Sequence, residues 1–286
     1  MFNTSGGHGR VKRVLFVLIA LAGLFGRSEA TAQPATDREI TVSAAISLKD
    51  AFEEIGKSFM ERNPGMKVIF NFGASGDLAR QIEAGAPVDV FASAAPKDMD
   101  DVDRKGLVAS GSRKDFARNT VVLIQPVEST IALTSLRDLL KGAVKRIAMG
   151  NPKTVPAGRY AEEALRHFHL WEALKEKLVF GENVRQVLDY VARNEVDAGL
   201  VYSTDAAIRS KDVKMVEKLP SDSHQPVIYP IGVIKGTRAE PTARAFVDAV
   251  LSPEGQKILA RYRFVTEYSA PQDGSGVPWI LRCSFL

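Results

Sequence analysis

Two doubly wound α/β domains, joined by a two-segment hinge and holding a ligand in the cleft between them, are predicted on three observations. A β-branched strand, a turn of small residues and an amphipathic helix recur in that order several times along the chain. The resulting βαβαβ alternation occurs twice, on either side of an apolar strand at 120–125 (TVVLIQ). Finally, 227–234 (VIYPIGVI) reads as a strand that returns to the first unit before a C-terminal helix. Alternating strands and helices specify sheets covered by helices, and ligands of such sheets collect beyond the carboxyl ends of the strands.

The elements follow from local pattern. Residues 39–45 (EITVSAA) form a β-branched strand, and Leu48, Phe52, Ile55 and Phe59 then fall on one helical face. Asn63-Pro64-Gly65 ends that helix, and 67–72 returns as a strand. The turn Gly73-Ala74-Ser75-Gly76 precedes a helix over 77–83, with Ser75 at or next to its N-cap. Gly76 lets the chain come close to whatever lies beyond the turn. Gly85-Ala86-Pro87 stops this helix, and 88–92 reads as a buried parallel strand. A short polar helix at 96–102 is followed by exposed, turn-rich sequence to Arg118.

In the second unit, the strand at 146–149 feeds the small-residue turn 150–158 and a helix with Ala157 near its start. Asn183 caps a further helix whose first residue is Val184. The strand 198–202 (AGLVY) ends in Tyr202. The predicted organisation is a first domain of 33–119 with 229–268, a second of 120–228, and a C-terminal tail from 269.

Length and composition bound the function. The chain has 286 residues, 45% hydrophobic and 25% charged, the balance of a soluble globular protein. Arg10, Lys12 and Arg13 precede an apolar run at 14–25, and Ala30-Thr31-Ala32 supplies an A-x-A site. This pattern predicts a signal peptide over 1–32 and export. Removing its four basic groups and one acid from totals of 38 and 34 leaves 34 against 33, which gives no nucleic-acid footprint. The single cysteine, Cys283, allows no internal disulfide, and the scattered histidines (His8, His167, His169, His224) give no metal-ligand spacing. No histidine or cysteine falls in the strand-to-helix turns, so no nucleophile–base pair and no catalytic residue is assigned there.

Ser47, Ser75, Ala157, Val184 and Tyr202 all stand at strand-to-helix turns or at a strand end. Helix starts expose unpaired N–H groups and the positive end of the macrodipole, a natural seat for an anion. The segments AAISLKDAF, FGASGDLARQIEAGAPVDVFASA, NPKTVPAGRYAEEAL, VRQVLDYVARNEVDAGLVY and DSHQPVIYPIGVIKG resemble the periplasmic molybdate-binding proteins of ABC importers. The resemblance spans 40–264 and implies a type II periplasmic binding fold. It assigns the oxyanion's donors to the hydroxyls of Ser47, Ser75 and Tyr202 and the backbone N–H groups of Ala157 and Val184. It implies a monomeric, non-enzymatic receptor in the periplasm that takes up molybdate or tungstate without a cofactor or cation ligand and delivers it to a membrane permease. Sulfate or thiosulfate is the alternative ligand. Ile46, where many relatives have alanine, is expected to tighten one wall of the pocket.

Overall fold

The computed structural model describes residues 37–266, so the predicted leader and the tail from 269 fall outside the described residues. Two five-stranded mixed sheets organise the chain. In the first, β1 (Glu39–Ala45) lies between β2 (Lys67–Gly73) and β3 (Val90–Ala92), all parallel. Beyond β3 come β10 (Ile228–Val233), antiparallel to its neighbours, and then β4 (Lys114–Arg118), giving the order β2-β1-β3-β10-β4. The second sheet repeats this plan. β6 (Ile147–Gly150) lies between β7 (Leu178–Gly181) and β8 (Ala198–Tyr202), again parallel. The antiparallel β5 (Val121–Pro126) and then β9 (Val213–Lys218) complete the order β7-β6-β8-β5-β9.

In both sheets the antiparallel fourth strand is the one that has just arrived from the other sheet. The chain leaves the first sheet after Arg118 and enters the second at Val121; it leaves after Lys218 and returns at Ile228. Each βαβ crossover covers its sheet with helices: α1 (Lys49–Arg62), α2 (Ser75–Glu83) and α3 (Pro96–Arg104) in the first half, and α4 (Pro156–His167), α5 (Trp171–Leu174), α6 (Val184–Ala192) and α7 (Ser203–Ile208) in the second. α8 (Glu240–Leu251) and α9 (Pro253–Arg261) close the described chain.

The cores follow from these periodicities. On α1 the buried face is Ala51, Phe52, Ile55, Gly56 and Phe59, the spacing predicted from sequence. Phe52 is fully buried and meets Phe70, Phe116 and Phe246 with ring centroids 5.7–6.3 Å apart. Burying one such ring contributes about 1.5–3 kcal/mol, so this aromatic group ties α1, α8 and the strands beneath them. On α6, Val187, Leu188 and Val191 bury the same kind of stripe.

The stretch before Arg118 is not merely turn-rich, as predicted: its end forms β4. Only Phe116 and Ala117 of that strand are buried, while Lys114 and Asp115 are exposed. An edge strand with charged residues has little alternation to betray it.

Candidate functional site

Parallel register sets the site by aligning the strand ends. Ala45 pairs with Gly73, and Gly150 pairs with Gly181, so the chain leaves each of these strands at a common level. Ser47 stands two residues beyond Ala45, in the single 3-10 turn Ile46–Leu48 that feeds α1. Ser75 stands two beyond Gly73, as the first residue of α2. Ala157 is the second residue of α4, after Pro156. Val184 is the first residue of α6, whose N-cap Asn183 accepts the Gln186 N–H at 3.0 Å, as predicted. Tyr202 ends β8 and is the N-cap position of α7.

All five residues line one small, tight pocket. Ala45, Ile46, Gly73, Ala74, Ala94, Val155 and Pro156 complete its wall, so among the described residues no charged side chain lines it. Each of the five is at most 4% exposed. The first N–H groups of α4 and α6, those of Ala157 and Val184, have no acceptor within their own helices and lie at the positive end of the dipole. Burial raises the Tyr202 phenol well above its ordinary pKa, so its hydroxyl keeps its proton and remains a donor.

The hydroxyls are supported from behind. Ser75 stands next to the N-cap, within the predicted range: Ala74 holds the cap position and makes no side-chain cap bond. The Ser75 Oγ instead accepts the backbone N–H of Ala94 at 3.0 Å. Tyr202 donates to the Ala94 carbonyl at a long 3.4 Å. Ser47 Oγ lies 3.1 Å from the hydroxyl of Tyr229, which also accepts from Asn119 Nδ2 at 3.2 Å. Ala94, Asn119 and Tyr229 were not among the predicted residues. The one signal for Asn119 and Tyr229 was their position at the two chain crossings.

Charged groups sit beside the cavity and are paired across it. Arg159 on α4 bonds to Asp98 on α3, a carboxyl whose pKa burial raises despite that guanidinium. Arg185 on α6 reaches Asp50 on α1 and Asp205 on α7, each at 2.6 Å. The backbones meet as well: Gly76 N–H donates to the Thr154 carbonyl at 3.0 Å. The arrangement can hold an anion by neutral, oriented donors, with no fixed counter-charge at the anion itself.

Residues 40–265 match the family model of bacterial extracellular solute-binding proteins. The molybdate-binding protein ModA of Haemophilus influenzae is 40% identical over 236 residues, covering 80% of this chain and 91% of that one. ModA of Escherichia coli strain K12 is 41% identical over 236 residues, covering 80% and 90%. The solved periplasmic molybdate-binding protein of Azotobacter vinelandii superposes with a TM-score of 0.71 at 24% identity, over 82% of this chain and 100% of that one. The sulfate-binding protein SubI of Mycobacterium tuberculosis gives a TM-score of 0.69 at 17% identity, over 87% and 91%. At these identities the two superpositions speak for the fold.

Proposed function

The chain belongs to the family of bacterial extracellular solute-binding proteins, and from that membership we propose that its neutral cage captures molybdate for delivery to the permease of an ABC importer. The observation that carries the proposal is the convergence of Ser47, Ser75, Ala157, Val184 and Tyr202 on one uncharged cavity. A dianion entering a cleft loses its hydration, so each oxygen needs replacement donors. The serine hydroxyls and helix-start N–H groups supply them at little reorganisation cost, and the Tyr202 proton turns to the anion from its long bond to the Ala94 carbonyl. A lysine or arginine there would hold anions broadly; a cage built to four oxygens discriminates by radius and protonation state. The curated ModA relatives carry molybdate in their names, which favours it over sulfate or thiosulfate. Tungstate, of nearly the same size, belongs with molybdate in this reading.

The receptor acts as a monomer in the periplasm, without catalysis or a cofactor. Ser47 and Ser75 follow strands of the first sheet, whereas Ala157 and Val184 follow, and Tyr202 ends, strands of the second. Full coordination therefore requires a shut cleft, and ligand biases an open–closed equilibrium by its preference for the closed form. Domain boundaries at the two crossings, 33–119 with 229–268 against 120–228, suit this hinge.

Calorimetric titration of residues 33–286 with molybdate, tungstate, sulfate and phosphate tests the assignment. Molybdate and tungstate are expected to bind far more tightly than sulfate; equal affinity for sulfate would sink the ligand assignment and leave the fold standing. Ser75→Ala removes one hydrogen bond to a charged acceptor, expected to weaken molybdate by about 1.5–3 kcal/mol, roughly ten- to a hundredfold. Because Ser75 also accepts the buried Ala94 N–H, ligand-free stability is expected to fall by about 1–3 kcal/mol. A fall in stability with unchanged affinity would reduce Ser75 to a structural residue.

A further inference from the structure

We propose that Asn119 and Tyr229 fix the direction of the hydrogen bond made by Ser47, so that this serine meets a bound oxyanion only as a donor. The inference rests on the reading of the cavity as an oxyanion site and adds two specificity-determining residues behind its wall.

The direction follows from atoms whose roles admit no choice. Asn119 is buried in the first crossing, between β4 and β5. One end of its amide lies 2.9 Å from the backbone nitrogen of Thr120 and 3.0 Å from Ser203 Oγ. The Thr120 N–H can only donate, so the atom facing it is the amide oxygen. Its Nδ2 therefore faces Thr204 Oγ1 at 2.9 Å and Tyr229 Oη at 3.2 Å. An amide NH₂ has no lone pair to offer, so Tyr229 accepts from it. The phenol is fully buried, and that burial holds its pKa far above the ordinary value, so it keeps its proton. That proton points to the remaining neighbour, Ser47 Oγ, at 3.1 Å.

Ser47 thus accepts from behind, and its own proton is left for the cavity that it lines. Ser75 is set in the same sense by a simpler device, because a backbone N–H, that of Ala94, donates to its Oγ at 3.0 Å. Both serines are turned outward as donors by a group that cannot reverse. A fully deprotonated dianion meets donors only. An oxyanion that keeps a proton near neutral pH, as phosphate does, brings a donor against a donor and leaves both unsatisfied. The relay from Asn119 through Tyr229 is therefore a filter on protonation state, placed in the two segments that cross between the sheets.

The experiment is a thermodynamic cycle on residues 33–286 with Tyr229→Phe, Ser47→Ala and the double variant, titrated with molybdate and competed with phosphate near neutral pH. Tyr229→Phe keeps the ring that packs on Phe116 and Phe264 and removes only the hydroxyl. It is expected to weaken molybdate about tenfold and to narrow the molybdate-to-phosphate affinity ratio by about the same factor, since the freed Ser47 can then accept. In the Ser47→Ala background the Tyr229→Phe loss is expected to vanish, because Tyr229 acts through Ser47. Asn119→Ala provides a second probe, with a smaller loss in the same direction that also vanishes in that background. Losses that simply add, or a phosphate ratio unchanged by Tyr229→Phe, overturn the relay and leave the site standing. Wild type that binds no tetrahedral oxyanion overturns the site reading and the relay together.

Discussion

Gly76→Ala is expected to weaken molybdate binding by about a hundredfold while the ligand-free chain melts at nearly the wild-type temperature. A Cβ at Gly76 would lie 2.7 Å from the Thr154 carbonyl oxygen and 3.0 Å from its Cα. Both are backbone atoms of the turn before α4, so nothing flexible can give way. Gly76 belongs to α2 on the first sheet's side of the cleft, and Thr154 to the second's. With the hinge proposed above, the clash falls on the closed form alone. Overpacking of this kind costs about 1–3 kcal/mol, and separating the backbones also loses the Gly76 N–H bond to Thr154, about 1 kcal/mol. About 3 kcal/mol is roughly a hundredfold in affinity. Within a helix alanine is favoured over glycine, so the open chain loses nothing. Calorimetry gives the affinity, and small-angle scattering with and without molybdate gives the closure. Wild type is expected to compact and Gly76→Ala to compact little. If the substitution leaves both affinity and compaction unchanged, the contact plays no part in closure.

Arg185→Met is expected to cost about 3 kcal/mol of folding stability near neutral pH, and part of that deficit should disappear on acidification. The Asp205 side chain is fully buried and bonds to Arg185 Nε at 2.6 Å, while Arg185 Nη2 holds Asp50 of α1 at 2.6 Å. Removing the guanidinium leaves a buried carboxylate without its partner, a loss of about 3–5 kcal/mol in comparable pairs. The sign with pH follows from the Asp205 pKa, which burial raises in the native state even though Arg185 opposes it. A carboxyl with a raised folded pKa takes up its proton more readily when folded. Its contribution to stability is therefore greatest below the unfolded pKa, about 4, and falls as pH rises through the folded value. Losing Arg185 pushes the folded pKa higher still and widens that window upward. Urea unfolding of both proteins at about pH 7 and about pH 5 reads the effect: the gap between them is expected to narrow at the lower pH. A gap that stays constant would locate the loss in packing rather than in Asp205. The Arg159–Asp98 pair, with its carboxylate buried and its guanidinium half-buried, also bridges the two halves, so the cleft is flanked by ion pairs while its interior is neutral.

The amino-acid sequence by itself determined the alternation of strands and helices, the strand-to-helix turns and five residues of the cavity wall. Helix period, turn chemistry and the Asn183 cap depend on neighbours a few residues away, and those neighbours are written in the order of the chain. The residues Ser47, Ser75, Ala157, Val184 and Tyr202 were singled out by the resemblance to molybdate-binding proteins; the local pattern added that each stands at a strand-to-helix turn or a strand end, and parallel strands deliver such ends to one level. What only the tertiary structure decided is the layer behind them. Ser47 and Tyr229 are 182 residues apart, and Asn119 and Tyr229 are 110 apart. No local spacing links such partners. The same holds for Ser75, placed at or next to a helix cap by its turn; its hydroxyl meets Ala94, 19 residues on, because β3 emerges beside β1 and brings that N–H within 3.0 Å. β4 was hidden for a related reason: an edge strand is recognised by the neighbour that pairs with it, and that neighbour, β10, arrives a hundred residues later in the fold's return crossing. Local covalent order sets which donors exist; long-range packing sets which way each one points.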